Sequence, residues 1–148
     1  MFQIAIMILM VSLGSGYMLM QVQQESELVA KADADISASN FLQYREAVVA
    51  YVAANPSATG TIADASLTWE PGYVRDARWT NEITGGQLYT YSGGAVEQRA
   101  AQRVYERAGR PVTIGIKSGT NPLAGDGSLI AASLPGTIPD GALVYFGK

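Results

Sequence analysis

Apolar and polar positions divide this chain into three textures. From Phe2 to Met20 (FQIAIMILMVSLGSGYMLM) nearly every position is apolar or small, and no Lys, Arg, Asp or Glu occurs before Glu25. A helix rises about 1.5 Å per residue and a bilayer core is about 30 Å thick, so this run predicts a membrane-spanning anchor over residues 1–24. From Gln21 to Ala54 the chain is rich in Ala, Gln, Glu, Leu and Val and contains neither Gly nor Pro. Helix is therefore expected to continue as a stalk over residues 25–54, until Asn55-Pro56 stops it, because the residue before proline is pushed out of the α region.

The stalk carries two apolar stripes. Val22, Val29 and Ile36 recur every seven residues, whereas Phe41, Tyr44, Val48, Tyr51 and Val52 form a second stripe, rotated from the first by roughly a quarter to a third of a turn at about 100° per residue. The change falls at Ser37-Ala38-Ser39-Asn40, whose short polar side chains compete for backbone hydrogen bonds and favour caps. Two readings stand at this point: a bend or break at residues 37–40, and a straight helix whose stripe drifts because it meets different partners.

Beyond Pro56 the pattern becomes short and β-like. Strands are expected at Ser66–Trp69, at Gln87–Tyr91 after the Gly85-Gly86 turn signal, at Val112–Lys117 and at Ala142–Phe146, with a short one at Ser128–Ala132. One further helix is expected over Ala95–Ala108, with Ala101, Val104, Tyr105 and Ala108 on one face and Gly109 and Pro111 as its stop. Long helix, short strands, helix and strands again define an α+β class. The expectation is an N-terminal transmembrane helix running into a long helix, then a small soluble domain over residues 55–148 with an antiparallel sheet against helical cover.

Composition narrows the function. The 48% hydrophobic content is raised by the first stretch, which also holds all five methionines. Between Glu25 and Ala54 five carboxylates face two cations, so the net charge of −3 sits there and the remainder is balanced. No basic excess suggests a nucleic-acid partner. Cysteine and histidine are both absent, which removes disulfides, a thiolate nucleophile, a lipobox anchor and the commonest metal ligand and general base. A cleaved secretory signal is the rival reading of the first stretch, but it would normally bring a basic n-region and a small-x-small cleavage site. The nearest cation, Lys31, specifies orientation weakly, and the preferred arrangement places the bulk of the chain outside the cytoplasm.

Catalytic motifs are incomplete. Lys117-Ser118-Gly119-Thr120 resembles one element of serine β-lactam-binding enzymes, but no Ser-x-x-Lys nucleophile accompanies it: Leu28 and Ile114 precede Lys31 and Lys117 by three. Asn121 and Asp126 lack the EF-hand pattern, and Gly125-Asp126-Gly127 lacks the third glycine of a dinucleotide fingerprint. No catalytic, cofactor-binding or metal-ligating residue is assigned. The aromatic cluster from Trp69 to Tyr91 is expected to build core.

Two surfaces remain. Ala5, Ser12 and Gly16 share a face of the first stretch, and small residues so spaced let membrane helices approach, so self-association or association with another membrane protein is an expectation there. Arg99, Arg103, Arg107 and Arg110 line one face of the second helix. That stripe reads either as a partner strip for an acidic protein, a membrane surface or the Glu25–Asp35 stretch of a neighbouring copy, or as a solvated face helped by Glu106; composition favours the solvated face.

The whole plan resembles the PilM family of type IVb and conjugative thin-pilus operons. The likeness rests on the apolar start, Asn40-Phe41-Leu42-x-Tyr44-Arg45 with Ala47-Val48, Asn55-Pro56, Trp79-x-Asn81-x-Ile83 and Gly86-x-Leu88-Tyr89-x-Tyr91. It implies a non-enzymatic component of pilus biogenesis in the bacterial inner membrane, single-pass, with a periplasmic soluble domain that contacts other pilus-assembly proteins of the basal body. A pilin-like minor subunit is the alternative, since a long N-terminal helix followed by an antiparallel sheet is the pilin plan too; pilins carry an acidic residue early in the apolar segment, which is absent here before Glu25. A periplasmic enzyme or wall-binding module is the third class.

Overall fold

The computed structural model describes the backbone of residues 2–147 and the side chains of residues 24–147. Helix α1 is Phe2–Ala54, strands β1 and β2 are Trp79–Thr84 and Gln87–Ser92, helix α2 is Gln98–Arg107, and strands β3, β4 and β5 are Ile114–Ser118, Asn121–Leu123 and Leu143–Gly147. The chain divides into two compact units, Met1–Asp33 and Ala34–Lys148. Among the described residues no helix is long and apolar enough to cross a membrane. The expected anchor, up to Gln23, and its packing face of Ala5, Ser12 and Gly16 lie outside the described side chains.

In the second unit all five strands form one antiparallel sheet in the order β1-β2-β5-β3-β4. Thr84 pairs with Gln87 across Gly85-Gly86, whose φ values of 60° and 76° give the two-residue hairpin turn with positive φ at both positions that matches strand twist. Alternation then sends successive side chains to opposite faces. Trp79 and Ile83 of β1, Leu88 of β2, Ile114 of β3 and Leu143 of β5 face a core completed by Ala38, Phe41, Tyr44 and Val48 of α1 and Ala101 and Val104 of α2. Tyr89, Val144 and Phe146 face the other way, under Leu134 and Ile138 of the connection before β5.

This arrangement settles the two stripes of α1. The helix is unbroken through residues 37–40, so of the two readings the break is not made. Phe41, Tyr44 and Val48 are fully buried against the sheet whereas Ile36 is exposed, so the stripe shifts because the partners change. The polar side chains at the shift are used across the domain instead of capping α1: Asn40 binds the connection before β1, and Ser39 receives Arg107 of α2. The segment Ala34–Ala54, expected as stalk, is thus the spine of the compact unit.

Three expectations for the strands change. Ser66–Trp69 forms no strand: a short 3-10 turn covers Asp64–Ser66, after which Leu67 and Trp69 pack on the core side by side chain alone. Ser128–Ala132 contributes only an isolated bridge, Leu123 to Leu129. Strands β1 and β4 are additional to the expected ones. In β1 the buried Asn81 breaks the apolar alternation that would announce a strand, and β4 is three residues long with Pro122 at its centre. The helix and the remaining strands lie within three residues of their expected limits.

Candidate functional site: the arginine face and the groove beside it

The connection Pro71–Arg78 crosses α1 at Asn40, and one amide fixes it there. Asn40 Oδ1 accepts hydrogen bonds from Trp79 Nε1 at 2.8 Å, Tyr73 OH at 3.0 Å and the Asp76 amide at 3.2 Å, while its Nδ2 donates to the Val74 carbonyl at 2.7 Å. Stacked rings of Tyr44, Trp69 and Tyr73, with centroids 6.0 and 5.0 Å apart, support the same connection. Burial, with the neighbouring Tyr44 phenol second, pushes the Tyr73 phenol up to about 12. Arg78 hydrogen-bonds Asp76 and holds its carboxyl below the usual carboxylate range. With Tyr73 and Asp76 tied inward, Val74 stands outward, 79% exposed.

Helix α2 presents Arg99, Arg103 and Arg107 on the side away from the buried Ala101 and Val104, and Arg110, the fourth residue of the expected strip, lies past the helix end with a φ of 58°. Two of the four turn to α1: Arg103 Nε lies 3.6 Å and Arg107 Nη2 3.2 Å from Asp35 Oδ1. Arg107 also donates to Ser39 Oγ, and Arg103 pairs with Glu106 at 3.1 Å. Arg99 and Arg110 are exposed and make no ion pair with a described residue. The structure therefore divides the strip, with its middle anchored to α1 and its two ends open to solvent. Asp35, counted in the sequence with the acidic stretch, is spent within the chain.

Between these features runs an open groove of about 380 Å3, with Ile36, Ser39 and Gln43 of α1 on one side, Tyr73 and Val74 on the other and Arg107 at its end. Its floor is shaped by the Asn40 bonds just described. A second cleft, about 300 Å3, lies between α2 and strands β3 and β4, lined by Ala101, Tyr105, Ile116 and Leu123 with Gln98 at its margin. There the Tyr105 ring lies directly on Gly125, where a Cβ would collide with it.

The sequence element Lys117–Thr120 has a structural use. Lys117 is 7% exposed, on the sheet face away from the helices, and its Nζ donates to the carbonyls of Ile138 and, at 3.3 Å, Pro135. It fastens the connection that covers Tyr89 and Phe146. Asp126 accepts from the Ser128 amide and hydroxyl, as in an Asx turn, and those bonds lower its pKa. Among the described residues no group of three His, Cys, Asp or Glu is placed to hold a metal. Sequence reasoning missed the groove itself: Val74 and Ile36 are 38 positions apart, and nothing local to either signals the other.

The compact unit is thus of the α+β class, an antiparallel sheet backed by residues 34–54 of α1, with two grooves and a cationic face on its described surface. The profile of the PilM family matches residues 7–146, and the chain belongs to that family. A crystal structure assigned as PilM from Escherichia coli B7A aligns with a TM-score of 0.62 at 19% identity, covering 78% of this chain and 92% of that one. At that identity the likeness speaks for the fold. Comparison with the curated proteins gives no match.

Proposed function

We propose that the chain is a non-enzymatic, membrane-tethered component of type IV, conjugative pilus assembly that acts through protein contacts. The observation that carries this reading is family membership over nearly the whole chain. The uncharged apolar run Phe2–Met20 supports a single-pass tether in the bacterial inner membrane, and the groove and open arginines supply surfaces for basal-body partners in the periplasm. The test is in-cell photo-crosslinking from positions 74, 99 and 110, with the captured proteins identified by mass spectrometry. Pilus-assembly proteins are the expected catch, together with loss of piliation in a deletion strain. Normal piliation without the protein would end the proposal.

One observation favours a second reading, a pilin-like minor subunit: α1 packs its C-terminal half on an antiparallel sheet through Phe41, Tyr44 and Val48. Fractionation separates the two. A minor subunit is recovered in sheared pili, whereas an assembly component stays with the membrane.

A further inference from the structure

We propose that the groove between Ile36 and Val74 receives the Glu25–Asp33 segment of α1 from a second copy of the chain. The groove and that segment complement each other in apolarity, charge and length. Ile36 and Val74 stand on opposite walls, 67% and 79% exposed, and on the segment Leu28 and Val29 are 67% and 61% exposed. These are four branched side chains without cover, and bringing them together removes apolar surface from water at roughly 25 cal/mol per Å2. The walls are pre-formed, because Asn40 holds the Val74 backbone from α1, so little ordering cost falls on association.

Charge selects the occupant. Arg99, Arg103 and Arg107 lie on α2 and Arg110 follows its C-terminal turn, against two carboxylates, Asp35 and Glu106, that reach them, which leaves this surface cationic by two. The segment has the reverse balance, with Glu25, Glu27 and Asp33 against Lys31. Arg99 to Arg107 and Glu25 to Asp33 each span eight helical steps, about 12 Å at 1.5 Å per residue, so the charged rows match in extent. Within one chain Asp35 already shows the pairing, held by Arg103 and Arg107. The groove and the segment are different surfaces, so the contact is heterologous: each copy has one donor and one acceptor, and copies add head to tail until a ring closes or the row ends.

The test uses the full-length protein in detergent micelles. The chain has no cysteine, so single introduced thiols report cleanly. Copies carrying Leu28→Cys, mixed with copies carrying Val74→Cys and oxidised, are expected to form a mixed disulfide dimer in excess of either homodimer. By sedimentation, Arg99→Glu with Arg110→Glu should weaken self-association by about tenfold or more, and so should Glu25→Lys with Glu27→Lys. An equal mixture of those two variants should recover it, since each then meets a complementary surface. Circular dichroism on each variant confirms that the fold is kept. Three results overturn the proposal: a monomeric wild-type protein, Leu28→Cys copies that crosslink alone as well as in the mixture, or association unchanged by both charge reversals.

Discussion

Asn40 shows how one side chain can carry more of the domain than its surroundings suggest. Its amide meets three donors and one carbonyl from the Tyr73–Trp79 stretch; the three donors are part-buried, and stranding a buried partner costs about 1–3 kcal/mol per group. Asn40→Ala should therefore lower stability by about 2–4 kcal/mol in urea unfolding, with Asn40→Asp, which keeps the oxygens, less affected; equal, sub-kcal losses would show that water replaces the amide. Tyr73 adds a pH effect. Its folded pKa is raised from 10.0 to about 12, so its contribution is complete below pH 10 and is lost as pH climbs from there through about 12. Stability should fall across that window less steeply in Tyr73→Phe than in the wild type. Burial raises Tyr44 and Tyr91 in the same direction, so part of the fall persists in the variant. The sequence marked Asn40 as a cap-former, which is sound chemistry for a short amide. It could not tell that the bonds would be made 33 to 39 positions away.

At the scale of elements, strong local periodicity was readable and tertiary dependence was not. Helix α2 has a clean apolar face in Ala101 and Val104, and β5 is a run of large apolar residues, so both were recognised near their true limits. Strand β1 hides its character because Asn81 is a core residue. Its Nδ2 donates to Tyr44 OH at 2.8 Å and Ile62 O at 3.1 Å, and its Oδ1 accepts from the Ile62 amide at 2.8 Å. A polar residue satisfied so fully behaves as core, yet a pattern of apolar and polar letters scores it as surface. Strand β4 depends on one glycine in its neighbour. A Cβ on Gly115 would lie 2.5 Å from the Leu123 carbonyl oxygen and 3.1 Å from Pro122 Cβ. The obstacle is backbone and cannot rotate away, so Gly115→Ala should push β4 from the sheet and cost about 3 kcal/mol, within the range for overpacking. Faster amide exchange confined to residues 121–130 would verify this; an unchanged exchange pattern would contradict it.

For the whole molecule, the decisive boundary is the one at Ala34. The sequence placed the edge of the soluble domain at Asn55, where proline ends the helix, and the compact unit begins 21 residues earlier. The reason is the second stripe: Phe41, Tyr44 and Val48 are 0% exposed and belong to the same cluster as Trp79 and Leu143. Removing large buried side chains costs about 2–5 kcal/mol each, and a domain of this size has only about 5–15 kcal/mol in total. A fragment of residues 30–148 should therefore melt cooperatively, with a dispersed amide spectrum. A fragment of residues 55–148 should lack a cooperative transition, because the sheet face formed by Trp79, Leu88, Ile114 and Leu143 is left to water. If the shorter fragment melted close to the longer one, α1 would be a lever resting on a finished domain. If it fails to fold, residues 34–54 of α1 are part of the domain core, and the sheet needs them to fold.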